Sequence, residues 1–170
     1  MKQALILALV HCVVVNGWAQ SSKRTARLEA EYYVAVYARH YRVPVTLVRA
    51  IIERESDWQP CTVSRKGAVG MMQLMPLTAA RLGVHDRCDV AENVAGGVRY
   101  LAWLMRKFGT DPRLAAAAYI AGETVIARHG LAYRNREVVV YVSRVRKSYQ
   151  RQLAEESGTF PAALRSSTTR

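Results

Sequence analysis

The sequence predicts a mainly α-helical fold in a single domain. The best-defined helix carries apolar residues at intervals of three and four, namely Val48, Ile51 and Ile52, and Glu55 continues the same row. No long segment alternates apolar and polar residues in the way that a half-buried strand does. The chain has 170 residues, of which 51% are hydrophobic, and this allows one globular domain with a full core.

The first predicted helix covers residues 28–41, where an aromatic face that includes Tyr33 packs toward the core. The second begins with Pro44, whose missing N–H is no loss in a first helical turn, and it ends before Trp58-Gln59-Pro60 breaks the chain. Glycines between residues 62 and 70 predict turns in an irregular or short β-like segment.

The later helix boundaries follow from prolines, caps and glycines. Pro76 opens a short helix, Asp89 or its neighbour caps a longer one, and an Asp-Pro pair at 111–112 opens the next. The predicted later helices are 76–82, 91–108, 112 to 119–122, a short turn that ends at Gly130, and 137–153.

The N-terminus has the features of a secretory signal peptide. Lys2 precedes an apolar run over residues 4–15, and Gly17 and Ala19 supply the small residues of a cleavage site. We therefore expect residues 1–19 to be removed on export; an uncleaved anchor is the alternative. Residues 28–153 then form the domain, and residues 154–170, which lose all helical periodicity, are expected to be a disordered tail.

The charge of the chain predicts an anionic partner. There are 25 Lys and Arg residues against 13 Asp and Glu, which gives a formal net charge of +12. Nucleic acid, a membrane surface and an acidic polymer all fit such an excess. Export predicts a periplasmic location and argues against nucleic acid, and no stable membrane span is expected after signal cleavage.

Two cysteines, Cys61 and Cys88, remain after the predicted leader removes Cys12. In an exported protein they most simply form one disulfide, which would close a loop around residues 67–76; two free thiols are the alternative. None of the four histidines is spaced with these cysteines as a ligand cluster, so we expect no metal site and no cofactor.

Glu55 lies in line with the apolar stripe at the end of its helix, where an aliphatic residue would be expected. Burial there would raise the pKa of the carboxyl group, which is what a general acid near neutral pH requires. The alternative is that the helix frays by Ser56 and that Glu55 reaches solvent.

Three blocks occur in order along the chain: E-S at residues 55–56, G-A-V-G-M-M-Q-L-M-P at 67–76 and A-Y-I-A-G at 118–122. They resemble the soluble lytic transglycosylases, lysozyme-like enzymes that cut the bacterial cell-wall glycan, whose pattern is E-S, G-A-x-G-L-M-Q-L-M-P and A-Y-N-A-G. The resemblance covers residues 43–149 and implies a lysozyme-like domain with a groove for peptidoglycan glycan strands.

The resemblance also implies a role for each matching residue. Glu55 would be the single catalytic acid and base at the bond between N-acetylmuramic acid and N-acetylglucosamine, and it would leave 1,6-anhydromuramyl ends. No second carboxyl group has a claim to a partner role, in contrast to ordinary glycosidases. The implied substrate-binding residues around the groove are Ser64, Gln73, Met75, Tyr119, Glu137 and Tyr141.

Within that set, Ser64 and Gln73 would hydrogen-bond the sugar or the scissile bond, Met75 would line the groove, and Tyr119 would orient Glu55. Glu137 and Tyr141 match the E-x-x-x-Y pair of the family's last helix. Each of these two has a structural alternative: a core tyrosine, and a solvated acid at a helix N-terminus.

Ile120 departs from the family pattern, which has asparagine at this position. The change leaves two other functions open: a catalytically weak peptidoglycan-binding or assembly protein, and a hydrolase that admits water. The small size of the chain is similar to that of transglycosylases dedicated to secretion or conjugation machinery, so such an apparatus is an expected partner.

Overall fold

A computed structural model describes residues 24–158, and the described chain is built from helices. The predicted leader, Cys12 and residues 159–170 lie outside the described residues. In chain order the helices are α1 (24–41), α2 (Val45–Ser56), α3 (Pro76–Arg81), α4 (Val90–Lys107), α5 (Pro112–Ala121), α6 (Glu123–His129), a 3₁₀ turn (Gly130–Ala132) and α7 (Arg136–Glu156). The predicted helices are therefore all present, with boundaries within a few residues.

The predicted start of the tail at residue 154 is three residues too early, because α7 continues through Glu156. Its last turn is held by charged groups: Arg151 Nε lies 3.7 Å from Glu155 Oε1, and Arg49 Nη1 lies 3.4 Å from Glu156 Oε1. Ion pairs of this kind leave no apolar periodicity, so the sequence pattern did not reveal this extension of the helix.

The core forms where α2, α5 and α7 meet, with α4 packed on α5. Leu47, Val48, Ile51 and Ile52 of α2 are at most 1% exposed. The run Ala115–Ala118 of α5 is also buried, and its small side chains allow α7 to approach closely. This packing brings the C-terminal end of α2 against the first half of α7.

Residues 57–75 connect α2 to α3 without forming a regular strand; within them Val63 pairs with Val69, and Val69 pairs with Leu74, as isolated antiparallel bridges. Asn93, which is fully buried in α4, holds this segment in place. Its Oδ1 accepts from the Met72 N–H at 2.8 Å, and its Nδ2 donates to the carbonyls of Val69 and Arg87 at 3.0 and 2.8 Å.

Gly97 of α4 is required by the same contact, since a Cβ there would collide with the Met72 side chain. Glycine therefore lets the segment pack directly on the backbone of α4. The segment is thus pressed against α4 and is not a loose loop.

Cys61 and Cys88 form a disulfide, as the sequence predicted, with their Cα atoms 4.6 Å apart. The bridge spans 27 residues and encloses the segment that Asn93 holds. Restricting a loop of this length in the unfolded chain stabilises the fold by about 3.5 kcal/mol in the chain-entropy account. Within residues 24–158, no helix has the length and apolar character needed to cross a membrane.

Candidate active site

Glu55 lies in the last turn of α2 and is only half-buried, with its side chain directed to α7. The helix continues through Ser56, which is 7% exposed, and ends where Asp57 adopts a left-handed conformation with φ of 50°. The alternative in which the helix frays and leaves Glu55 in solvent is therefore wrong. The buried stripe of α2 carries the carboxyl group to the edge of the core.

Tyr141 of α7 holds this carboxyl group. Its hydroxyl donates to Glu55 Oε1 at 2.5 Å, and the tyrosine itself is 1% exposed. Burial raises the pKa of Glu55 to about 7, although the hydrogen bond from Tyr141 and the positive charge of Arg54 both act to lower it. Near neutral pH, Glu55 is thus present in both protonated and ionised forms, and it can give or accept a proton.

Tyr141 is a core residue, as its structural alternative proposed, and it also donates to Glu55. Its own pKa is raised well above the ordinary value by burial and by the charge of Glu55, so it remains a donor. Because Tyr141 is enclosed by protein, it contacts the Glu55 carboxyl group from the core side.

Tyr119, which was expected to orient Glu55, forms no hydrogen bond with it in the described chain. Its hydroxyl donates instead to the Met72 carbonyl at 2.7 Å, which ties α5 to the connecting segment. Burial and then the nearby charge of Glu55 raise its pKa well above the ordinary value, so it does lie close to the carboxyl group. The hydrogen bond to Glu55 comes from Tyr141 instead.

Ser64 and Gln73 are used largely within the connecting segment. Ser64 Oγ accepts from the Ala68 N–H at 3.0 Å, and Gln73 Nε2 donates to the carbonyls of Thr62 and Gly70 at 2.7 and 2.9 Å. The Gln73 amide group therefore has no free donor in this conformation. The Ser64 hydroxyl proton and Gln73 Oε1 are the groups left to bind a ligand.

Met75 and Glu137 are exposed. Met75, 43% exposed, directly precedes α3. Glu137 lies in the first turn of α7, and its carboxylate oxygens are 3.2 and 3.3 Å from Lys66 Nζ. Its expected place as an acid at a helix N-terminus is correct, and the ion pair also joins α7 to the connecting segment.

Sequence reasoning missed Arg54, Arg87 and Asn93. The Arg54 guanidinium carbon lies 5.6 Å from the centre of the Tyr141 ring, and Arg87 Nη1 donates to the carbonyls of Gly67 and Leu74. Asn93 could have been noticed, since it is a polar residue beside Val94 on the apolar face of α4. The two arginines gave no signal of this kind.

Ile120, which replaces the asparagine of the family pattern, is half-buried and packs against the core. It follows Tyr119 directly and leaves no polar group of its own unsatisfied. The isoleucine is therefore accommodated by apolar contacts.

A cavity of about 260 Å³ between α5 and α7 is not the acid–base site. Apolar side chains line most of it, together with Arg113, Arg146 and Gln150, and its lining contains no carboxyl group. Glu55 lies at the end of α2, outside the lining of this cavity.

The blocks that flank Glu55 also match a known domain: the profile described as Transglycosylase SLT domain covers residues 32–139. The chain belongs to the transglycosylase SLT domain family. It is 39% identical over 82 residues to a transglycosylase of Enterobacteria phage PRD1, which is 48% of this chain and 31% of the phage protein. Over 74 residues it is 38% identical to membrane-bound lytic murein transglycosylase F of Pseudomonas fluorescens, covering 44% and 15% of the two chains.

The SLT-domain chain also shares its shape with the 70 kDa soluble lytic transglycosylase of Escherichia coli. The two superpose with a TM-score of 0.63 at 25% identity, over 74% of this chain and 24% of that one. This chain spans less than a third of the length of any of these three relatives. The predicted mainly α, lysozyme-like fold and the predicted family are confirmed.

Proposed function

We propose that this chain is a peptidoglycan lytic transglycosylase. It cleaves the β-1,4 bond between N-acetylmuramic acid and N-acetylglucosamine and leaves 1,6-anhydromuramyl ends. The observation that carries the proposal is the state of Glu55: a half-buried carboxyl group, held by Tyr141, with a pKa raised to about 7. Membership of the SLT family supports the same substrate.

The reaction needs one proton donor that later becomes a proton acceptor. Protonated Glu55 gives its proton to the glycosidic oxygen as the bond from that oxygen to C1 of the muramyl residue breaks. The carboxylate then takes the proton of the muramyl 6-hydroxyl as its oxygen bonds to C1. Glu55 ends protonated again, no water is consumed, and a pKa near the working pH suits both half-reactions.

A single carboxyl group distinguishes this chemistry from that of ordinary glycosidases, which place two carboxyl groups across the scissile bond. In the described chain, the groups that shift the pKa of Glu55 besides burial are Tyr141 and Arg54, and neither is a carboxyl. The proposed nucleophile is therefore the muramyl 6-hydroxyl, which needs no second carboxyl group, and not an activated water.

The glycan strand would be bound by the connecting segment on one side and by α7 on the other. Ser64 would donate its hydroxyl proton, Gln73 would accept through Oε1, and Met75 would offer an apolar surface to a sugar ring. Tyr119 would act indirectly, by fixing Met72, and Glu137 would act together with Lys66 at the exposed edge.

The proposed setting is the periplasm, reached by export with loss of residues 1–19, and the proposed role is local remodelling of the wall. A secretion or conjugation apparatus is the proposed partner. The chemistry involves proton transfer and ring closure only, so no cofactor is required. N-terminal sequencing of the exported protein should begin at Gln20.

Mass spectrometry of muropeptides released from purified sacculi tests the activity. Anhydro products support the proposal, whereas reducing ends would identify a hydrolase. Binding to sacculi without any release of muropeptides would identify a catalytically weak peptidoglycan-binding protein. This is the second candidate function, and Ile120 favours it because it replaces a polar residue of the family pattern.

A further inference from the structure

A groove of about 570 Å³ lies between α2 and α7, beside the Glu55 site and separate from it. It is lined by Ala50, Glu53, Arg54, Arg144, Lys147, Ser148 and Arg151. Neither Glu55 nor any of the proposed glycan-binding residues lines it. Four of its seven lining residues are cationic and one is anionic, so the groove has an excess of positive charge.

The positive charges in the groove are only partly balanced by carboxyl groups of the described chain. Glu53 is already paired with Arg151, whose Nη2 lies 2.7 Å from its Oε2. Within residues 24–158, Arg54, Arg144 and Lys147 form no ion pair. The lining therefore has two exposed cations without an ion pair, Arg144 and Lys147, together with Arg54, whose charge also acts on Glu55.

Arg144, Lys147 and Arg151 are exposed, whereas Arg54 is the half-buried member of this group. Its Nε is enclosed by protein and has no hydrogen-bond partner, and the other guanidinium nitrogens have none in the described chain either. Buried donors of this kind are normally satisfied. The side chain is held by its position over the Tyr141 ring, 5.6 Å from the ring centre, so it can turn toward the groove without losing a hydrogen bond.

The other two cations come from one stripe of α7. Arg144 and Lys147 are three residues apart, and Arg151 follows four residues later, so all three lie along the edge of α7 that faces α2. Arg144 and Lys147 are exposed and can move onto a ligand, whereas Arg54 is a half-buried part of the lining.

We propose that this groove binds a compact oxyanion, namely a phosphate or carboxylate group carried by a ligand. An arginine can contact two oxygens of such a group at once, and the lysine supplies a mobile point charge. The concave shape between two helices fits a compact group better than a flat anionic surface. Because Arg54 lies over Tyr141, which bonds Glu55, the ligand is held next to the candidate active site.

Titration calorimetry at constant ionic strength, with sodium phosphate and sodium succinate as probes, tests the proposal on the exported chain. We expect saturable binding of at least one probe. The pair Arg144→Gln/Lys147→Gln should weaken it by about ten-fold or more. The control pair Arg99→Gln/Arg106→Gln removes two exposed charges from α4, outside the groove, and should change the affinity by less than about two-fold.

All four substituted residues are exposed, and a cooperative thermal transition checks that each variant folds. Tighter binding of phosphate would assign a phosphate-bearing ligand, and tighter binding of succinate a carboxylate-bearing one. Either result supports the site. No saturable binding of either probe, or equal weakening by both pairs, would overturn it. None of these outcomes depends on glycan cleavage, so the two proposals are tested separately.

Discussion

Two carboxyl groups in α2, on Glu53 and Glu55, are two residues apart and have opposite properties. Burial raises the pKa of Glu55 to about 7, and one neutral hydroxyl bonds it. Burial also raises the pKa of Glu53, but hydrogen bonds from Ser148 and Arg151 and the charges of Arg151 and Arg27 outweigh it, so that its pKa is lowered.

The difference between the two pKa values comes from the side chains of α7 that contact Glu55 and Glu53. Tyr141 faces the end of α2, whereas Ser148 and Arg151, two turns later, face Glu53. A neutral donor leaves a buried carboxyl group able to hold its proton, and a cation keeps a carboxyl group ionised. Proton transfer is therefore expected at Glu55 and a structural ion pair at Glu53.

The largest expected effect is on activity. Glu55→Gln should abolish anhydromuropeptide release, since glutamine keeps the shape but cannot transfer a proton. The loss should reach or exceed the upper end of the ~10²–10⁴-fold that general acid–base catalysis contributes, because one residue serves both half-reactions. Glu53→Gln, the matched control on the same helix, should retain most of the activity at equal folded concentration. Comparable release by the Glu55 variant would remove this residue from the mechanism.

The next effect is on stability, and the two substitutions should act in opposite directions. The pKa of Glu55 rises from an ordinary 4.5 to about 7 on folding, so the wild type loses stability as pH rises across that window. Glu55→Gln should therefore be more stable by about 3 kcal/mol at pH 8, with this gain absent below pH 4. Denaturant unfolding across that range measures it.

For Glu53 the sign is reversed. Its lowered pKa stabilises the fold above the ordinary value of 4.5, and this stability is lost as pH falls through its folded pKa. Glu53→Gln should thus be destabilising near pH 7 and nearly neutral in acid. If the free energy of unfolding of the two variants, relative to wild type, changed with pH in the same direction, the inferred difference between the Glu53 and Glu55 sites would be wrong.

A smaller effect is expected from the donors on α7. Tyr141→Phe removes a hydrogen bond that favours the Glu55 carboxylate, so the pKa of Glu55 should rise further. Because protonated Glu55 is the acid, the basic limb of the plot of kcat/KM against pH should shift to higher pH by about one unit. Ser148→Ala removes a donor to Glu53 and should leave that limb in place. An unmoved limb in the Tyr141 variant, with the fold intact, would show that Tyr141 does not tune Glu55.

The smallest effect concerns Ile120, on the Glu55 side of the molecule. Ile120→Asn should raise turnover modestly, by the equivalent of one hydrogen bond of ~0.5–1.5 kcal/mol, or leave it unchanged. Initial rates on sacculi at matched folded concentration provide the measurement. A folded variant with sharply reduced activity would show that the isoleucine is an adaptation.

The sequence was sufficient for the helices, the disulfide and the family, because caps, prolines, periodicity and ordered motifs are local signals. The spacing placed Glu55 in line with the apolar stripe, and the resemblance of the three sequence blocks to a known family made it the candidate acid and base. The sequence did not reveal that the Tyr119 hydroxyl bonds the Met72 carbonyl, because that acceptor is 47 residues away along the chain.

What the sequence by itself determined is that α2 ends in a carboxyl group in line with the core and that the segment after it is closed by Cys61 and Cys88. Only the tertiary structure decided which carboxyl group of α2 keeps its proton and which tyrosine bonds it. The reason is physical: a pKa depends on the few ångströms around a group, and here those surroundings come from α7, 86 residues beyond Glu55 at the closest contact.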